Sequence, residues 1–150
     1  MANTIHVVGT GTIGEPLIGL FTDFRHHLGL DEVTFHKRTP LVSDRARINH
    51  LIARGARLAT DADRRADFED LGHAVSFEAE EALERASVVI DCTPVGNKHK
   101  ERYLKLKGPK GFLAQGSEEG FGKPYARGVN DEALIPGEDR FLQIVSCNTH

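Results

Sequence analysis

Cysteine is scarce in this 150-residue chain, with only Cys92 and Cys147, far apart. That excludes both the close pairs of a zinc knuckle and a dense disulfide framework. Two free thiols point to a reducing compartment, and the expected location is cytoplasmic. No apolar run is long enough to span a bilayer and no signal-peptide pattern follows Met1, so no membrane partner is expected. Neither sign of charge dominates: 19 basic and 22 acidic residues leave a net charge of −3. Nothing global would draw nucleic acid. The basic run from Lys98 to Lys110 lacks aromatic interleaving beyond Tyr103 and reads as a solvated helix face. Internal repeats, low-complexity tracts and interdomain linkers are missing, which suits a single domain over residues 1–150. Histidine is plentiful, but none of the eight forms an H-x-x-x-H pair facing an acidic partner, and no metal site is expected.

What is present begins with three glycines. Gly9, Gly11 and Gly14 follow the apolar run Ile5-His6-Val7-Val8 and precede an amphipathic helix pattern. A G-x-G-x-x-G between strand and helix is the dinucleotide-binding fingerprint. Gly9 would allow the tight turn, Gly11 would let the backbone approach a pyrophosphate, and Gly14 would bring helix and strand together. The helix N-terminus, with its unpaired N–H groups, would face the phosphates. The helix is expected to bury Leu17, Leu20, Phe21, Phe24 and Leu28 on one face and to stop at Gly29.

Further along, strands are expected at 33–35, 57–59, 73–77, 87–91, 112–115 and 141–146. Helices are expected at 44–54 (N-capped by Ser43 and stopped by Gly55), 62–71, 78–85 and 98–106. Residues 116–137, rich in Gly and Pro, form the least regular stretch. The alternation predicts an α/β fold of Rossmann type: a doubly wound, mainly parallel sheet with helices on both faces. Ligands of such sheets bind beyond the C-terminal strand ends. Gly9, Thr10, Gly11, Thr12, Ile13, Gly14, Lys37, Arg38, Thr39, Cys92, Thr93, Pro94, Gln115 and Gly116 gather at those ends and are the expected cofactor residues.

The second strand ends in Phe35-His36-Lys37-Arg38-Thr39, without the carboxylate that bonds the ribose 2′-hydroxyl of NAD. Lys37 and Arg38 would instead attract a 2′-phosphate, so NADP is expected to be preferred, with NAD as the other cofactor. Cys147 lies beyond the last strand on the same side. A lone cysteine there either packs inertly or serves as a nucleophile. As a thiolate it would attack an aldehyde to give a thiohemiacetal, and hydride transfer to the nicotinamide would leave a thioester open to phosphate or water. Cys92, beside Asp91, reads as a packing residue.

Several blocks now resemble one family, the archaeal-type (type II) phosphorylating glyceraldehyde-3-phosphate dehydrogenases. They are Gly11 to Gly14, Lys37 to Pro40, Ala86 to Pro94, Ala114-Gln115-Gly116 and Val145-Ser146-Cys147-Asn148-Thr149, in family order. The resemblance implies that Cys147 is the catalytic nucleophile and that Ser146, Cys147 and Asn148 contact the substrate. It also implies that Thr12 and Ile13 lie along the cofactor and that Gly116 meets it near the nicotinamide. The chain departs from the family at His150, where members usually carry Thr, at Arg38, often a small polar residue, and at Ser117 within a Gln-Gly-Gly run. The family's catalytic domain follows this cysteine. The reading is therefore of the nucleotide-binding part of a longer enzyme, inactive alone. The partners implied for the full enzyme are an aldehyde phosphate and inorganic phosphate, in a homotetramer. Two alternatives stand beside it: the cofactor half of a related semialdehyde dehydrogenase, and a stand-alone nucleotide-sensing module without catalysis.

Overall fold

The computed structural model describes residues 2–115 and 120–145. Eight strands form one sheet: β1 (Thr4–Val8), β2 (Glu32–His36), β3 (Arg57–Thr60), β4 (Val75–Glu78), β5 (Val88–Asp91), β6 (Gly111–Gln115), β7 (Lys123–Tyr125) and β8 (Phe141–Ile144). Their spatial order is β4-β3-β2-β1-β5-β6-β8-β7, and every pair is parallel. Parallel strands need crossover connections, and five helices supply those from β1 to β6. They are α1 (Gly14–Asp23), α2 (Arg45–Ala53), α3 (Arg65–Asp70), α4 (Ala79–Arg85) and α5 (Gly96–Leu104). No helix of the described residues is long and apolar enough to cross a membrane.

Because β1 is central, alternate residues feed two cores. Val7 joins Val33, Phe35 and Leu58 beneath Ile18 of α1, Ile48 and Leu51 of α2 and Phe68 of α3. Val8 joins Val89 and Phe112 on the other face, beneath Leu83 of α4 and Tyr103 of α5. The fold is thus the doubly wound α/β sheet expected. The order reverses between β1 and β5, which both begin from the same neighbourhood: Ser87 N–H bonds Thr4 O at 2.8 Å.

Helix α1 departs from expectation. It ends at Asp23, and residues 24–29 continue as turns closed by Gly29 at φ +65°. Its sheet-facing stripe is Gly14, Ile18 and Thr22, joined by Gly19, while Leu17 and Phe21 are half-buried. Leu20, Phe24 and Leu28 are about half exposed. The reason is steric. Gly14 seats against the Gly9 carbonyl, which sets the helix's rotation and turns the small residues inward. Ser43 is not an N-cap either: Val42–Asp44 form a 3₁₀ turn leading into α2, without a side-chain cap. Gly55 and Gly72 do close α2 and α3, at φ +114° and +85°. β7 falls in the stretch read as irregular.

Candidate functional site

The turn after β1 is built from backbone. Gly9 has φ +100°, a conformation open mainly to glycine, and its N–H bonds His36 O at 3.2 Å. A Cβ on Gly14 would lie 2.0 Å from Gly9 O and 3.4 Å from Cys92 Cβ, so helix α1, β1 and the loop after β5 meet at van der Waals limits. Gly11 differs: a Cβ there would meet nothing within 4 Å. The fold makes no steric demand for glycine at this exposed position, and a ligand lying across the mouth would. No side chain caps α1. The residues present therefore fit a pyrophosphate: a helix N-terminus without a side-chain cap, with open space where a side chain at Gly11 would stand.

A second, side-chain-lined feature adjoins the turn. A cavity of about 500 Å³ lies between the C-terminal ends of β1, β2, β3 and β5. Its walls include Val8, Gly9, Thr93, Pro94 and Val95, with Arg38, Asp61, His36, His99 and Arg102 as polar lining. Arg38 and Thr39 also line a smaller polar recess of about 360 Å³ with Asp61 and Arg64. A larger hollow of about 770 Å³ lies at the opposite sheet edge, around Lys107, Pro109 and Arg140, remote from the glycine turn.

The floor of the 500 Å³ cavity is organised by Asp91, the fully buried last residue of β5. Its Oδ1 accepts from Thr93 N–H (2.9 Å) and Thr93 Oγ1–H (2.6 Å). Its Oδ2 accepts from His99 Nδ1–H (2.7 Å) and Tyr103 O–H (2.5 Å). Desolvation works to raise its pKa, but the bonds from His99, Thr93 and Tyr103 outweigh it and hold the carboxyl below its ordinary range. Burial, followed by the charge and hydrogen bond of Asp91, pushes the Tyr103 phenol far up. Across the cavity, His36 Nε2–H bonds Asp61 Oδ1 at 3.0 Å. Burial lowers the His36 pKa and Asp61 only partly restores it.

The sequence-predicted residues do not share one place. Gly9, Gly11, Gly14, Arg38, Thr93 and Pro94 surround the turn and cavity. Lys37 does not project as a free cation. Its Nζ donates to Asp44 Oδ2 at 2.6 Å and lies 3.5 Å from Thr10 Oγ1, and only 8% of the residue is exposed. Asp44 also bonds Arg47, so Lys37 is absorbed in an internal ion pair. Thr12 and Ile13 line a shallow apolar depression with Pro16, Leu17 and Leu20 on the outer side of α1. Cys92 is buried in the core, and desolvation with the Asp91 charge raises its thiol pKa to about 11, which suits packing rather than chemistry. Gln115 ends β6 on the same sheet edge. Gly116, Ser146, Cys147 and Asn148 lie outside the described residues, as do Ser117 and His150. β8 is parallel to β6, so the described chain reaches Val145 on the glycine-turn edge.

Asp61, His36, His99 and Arg102 were not among the expected site residues. They come from two separate strand ends and one helix, and only Asp91-x-Thr93, a local carboxylate-to-backbone turn signature, gave a hint in the sequence.

The sequence has relatives that match it along almost its full length. A glyceraldehyde-3-phosphate dehydrogenase from Pyrobaculum calidifontis is 32% identical over 154 residues, covering 97% of this chain and 40% of the relative. The chain resembles the archaeal-type glyceraldehyde-3-phosphate dehydrogenases. Glyceraldehyde-3-phosphate dehydrogenase 1 of Methanosarcina acetivorans is 31% identical over 147 residues, and the enzyme of Methanococcoides burtonii 32% over 151. Each again covers 97% of this chain and 41% of the relative. The chain thus spans about 40% of the length of these dehydrogenases. No family model matches it.

Proposed function

We propose that this chain is the dinucleotide-binding part of a phosphorylating aldehyde dehydrogenase of the glyceraldehyde-3-phosphate type. The observation that carries the proposal is the side-chain-free mouth of α1 at the sheet's order reversal, with Gly14 locked by packing and Gly11 open. In this reading the pyrophosphate lies over residues Gly9 to Gly14 and the adenosine half enters the 500 Å³ cavity. The bound nicotinamide supplies a hydride acceptor. Thr93 and Pro94 back the turn, and Gln115 and Gly116 follow toward the nicotinamide side. Cys147 serves as the nucleophile for the aldehyde, with Ser146 and Asn148 beside the substrate. NADP is the preferred cofactor through Arg38, which is exposed on the cavity rim, whereas Lys37 supports the loop through Asp44. In the full enzyme the partners are an aldehyde phosphate and inorganic phosphate, in a homotetramer.

Calorimetric titration of the chain with NADP⁺ and NAD⁺ tests the reading. Weak binding of both is expected, tighter for NADP⁺, without dehydrogenase turnover from these 150 residues. Gly11→Val should abolish binding while moving the urea midpoint little, because a Cβ there meets nothing within 4 Å. Arg38→Ala should weaken NADP⁺ about ten-fold and spare NAD⁺, the loss expected for one charge-assisted phosphate contact. A wild-type chain that binds neither dinucleotide overturns the proposal.

A further inference from the structure

Dinucleotide-binding sheets commonly place a carboxylate at the end of the second strand to accept from the adenosine ribose hydroxyls. This chain has none there, since β2 runs into His36-Lys37-Arg38. Arg38 answers the 2′-phosphate of NADP, but the 3′-hydroxyl, and both hydroxyls of NAD, are left to an acceptor elsewhere on the cavity wall. Three side chains there could accept, Asp61, His36 and His99. Asp61 and His36 are engaged with each other, and the His36 side chain is only 14% exposed. His99 is held differently. Asp91 is acceptor-only as a carboxylate, so the 2.7 Å contact fixes the proton of His99 on Nδ1. In the neutral imidazole, Nε2 on the far side of the ring is then a lone-pair acceptor. Tyr103 packs edge-on against the ring, with centroids 6.1 Å apart, and donates to the same carboxylate oxygen. The imidazole is thus locked in orientation by a buried anion, yet its side chain keeps 31% of its surface exposed at the cavity.

The same carboxylate holds the opposite wall through Thr93, whose Cγ2 lies 3.2 Å from where a Cβ on Gly9 would sit. One buried group therefore sets the spacing between the glycine turn and the imidazole. Burying a carboxylate is costly unless every lone pair is used, and here four donors use them. The interior of a strand end does not need that arrangement; an oriented acceptor beside a nucleotide does.

We propose that His99, oriented by Asp91, presents Nε2 to a ribose hydroxyl of the nucleotide's adenosine half and takes the part usually played by the missing carboxylate. This rests on the dinucleotide reading above and adds a recognition residue to it.

The test crosses protein and ligand changes. Wild type and His99→Phe, which keeps a ring of similar size without nitrogen, are titrated calorimetrically with ADP, 2′-deoxy-ADP and 3′-deoxy-ADP. Wild type should bind ADP roughly five-fold more tightly than one of the deoxy forms, the value of one hydrogen bond. His99→Phe should bind ADP and that deoxy form alike. Retained discrimination in His99→Phe overturns the assignment, and its loss in Asp61→Asn instead would give the hydroxyl to Asp61. If His99→Phe fails to fold, nitrogen NMR of the wild-type imidazole decides. Nε2 should be unprotonated in the free protein and shift more with ADP than with the deoxy form; a proton on Nε2 or equal shifts overturn the proposal. Gly11→Val separates the two layers. Gly11-dependent ADP binding without His99-dependent discrimination sinks only the role of His99, whereas no nucleotide binding at all sinks both.

Discussion

Replacing Gly14 by alanine adds one methyl group at the tightest joint of the molecule. Built on the existing backbone, that Cβ lies 2.0 Å from Gly9 O and 2.8 Å from Gly9 C, well inside the 3.0 Å that real Cβ contacts respect. The obstacle is backbone, so no side chain can swing aside. Either the N-terminus of α1 lifts by about 1 Å or the Gly9 turn must reshape, and overpacking of this kind costs about 3 kcal/mol. Alanine recovers up to about 1 kcal/mol through its better helix propensity. The net loss is therefore about 2–3 kcal/mol, a large share of the 5–15 kcal/mol that holds a typical domain together. With a urea m-value of about 2 kcal/mol/M, the unfolding midpoint should fall by about 1–1.5 M, read by circular dichroism. Gly11→Ala is the control: its methyl group enters open space, and stability should change by less than about 1 kcal/mol. A Gly14→Ala midpoint within about 0.3 M of wild type would show that helix and turn are not in contact, and the reasoning about the mouth would collapse with it.

Further predictions concern charge. His6 is fully buried on β1 with Nδ1 on Thr34 Oγ1 at 2.7 Å, and desolvation, aided by the nearby His36 and Arg102 charges, lowers its pKa to about 3. Its folded-state pKa lies below the unfolded value of about 6.5, so between these the unfolded chain binds a proton that the native state refuses. Stability should fall by on the order of 2 kcal/mol between pH 7 and pH 5 from this group, and His6→Asn should flatten that slope in paired urea titrations; an unchanged slope counts against a neutral His6. Asp44 is held below its ordinary range by its bonds to Lys37 and Arg47, so its contribution is full above about pH 4 and is lost as acid protonates it. Asp44→Asn strands the Lys37 ammonium, and a loss of about 2 kcal/mol at neutral pH is expected from chemical denaturation; a neutral effect would mean Lys37 is free to serve a ligand. Iodoacetamide should leave Cys92 untouched in the folded chain, since its raised pKa and burial withhold the thiolate, while fast labelling should disappear in Cys147→Ser. Peptide mapping that finds Cys92 alkylated at the rate of a free thiol would contradict the packing described.

The legible parts of the fold were those where local pattern and burial agree. β1 and β5 lie inside the sheet, so their apolar, β-branched runs announced them, and Gly55 and Gly72 stopped their helices where a positive φ was needed. The buried face of α1 was not legible. The pattern ranked its positions by hydrophobicity, whereas contact with Gly9 selected them by size, leaving Leu20, Phe24 and Leu28 outside. β7 was invisible because three residues, Lys123-Pro124-Tyr125, carry no periodicity. At the site, the glycine turn was legible since it is continuous in sequence. The fate of Lys37 was not, because its partner Asp44 arrives through a 3₁₀ turn that no pattern specified. His99 and Asp61 escaped notice for a related reason: each becomes a wall of the cavity only when distant strand ends align.

The edge of the sheet carries a consequence for how the chain is made. The polypeptide leaves β6, lays down β7 at the rim, and only afterwards returns to thread β8 between them. Among the described residues β7 bonds to β8 alone, so until β8 emerges the Lys-Pro-Tyr segment lacks that ladder, and Pro124 meanwhile discourages pairing with a neighbouring molecule. During synthesis the first six strands can assemble in order, while the last two must lock together as a single late event. Cys147 follows β8 within three residues in the sequence, so its thiol is synthesised just after the strand that completes the rim.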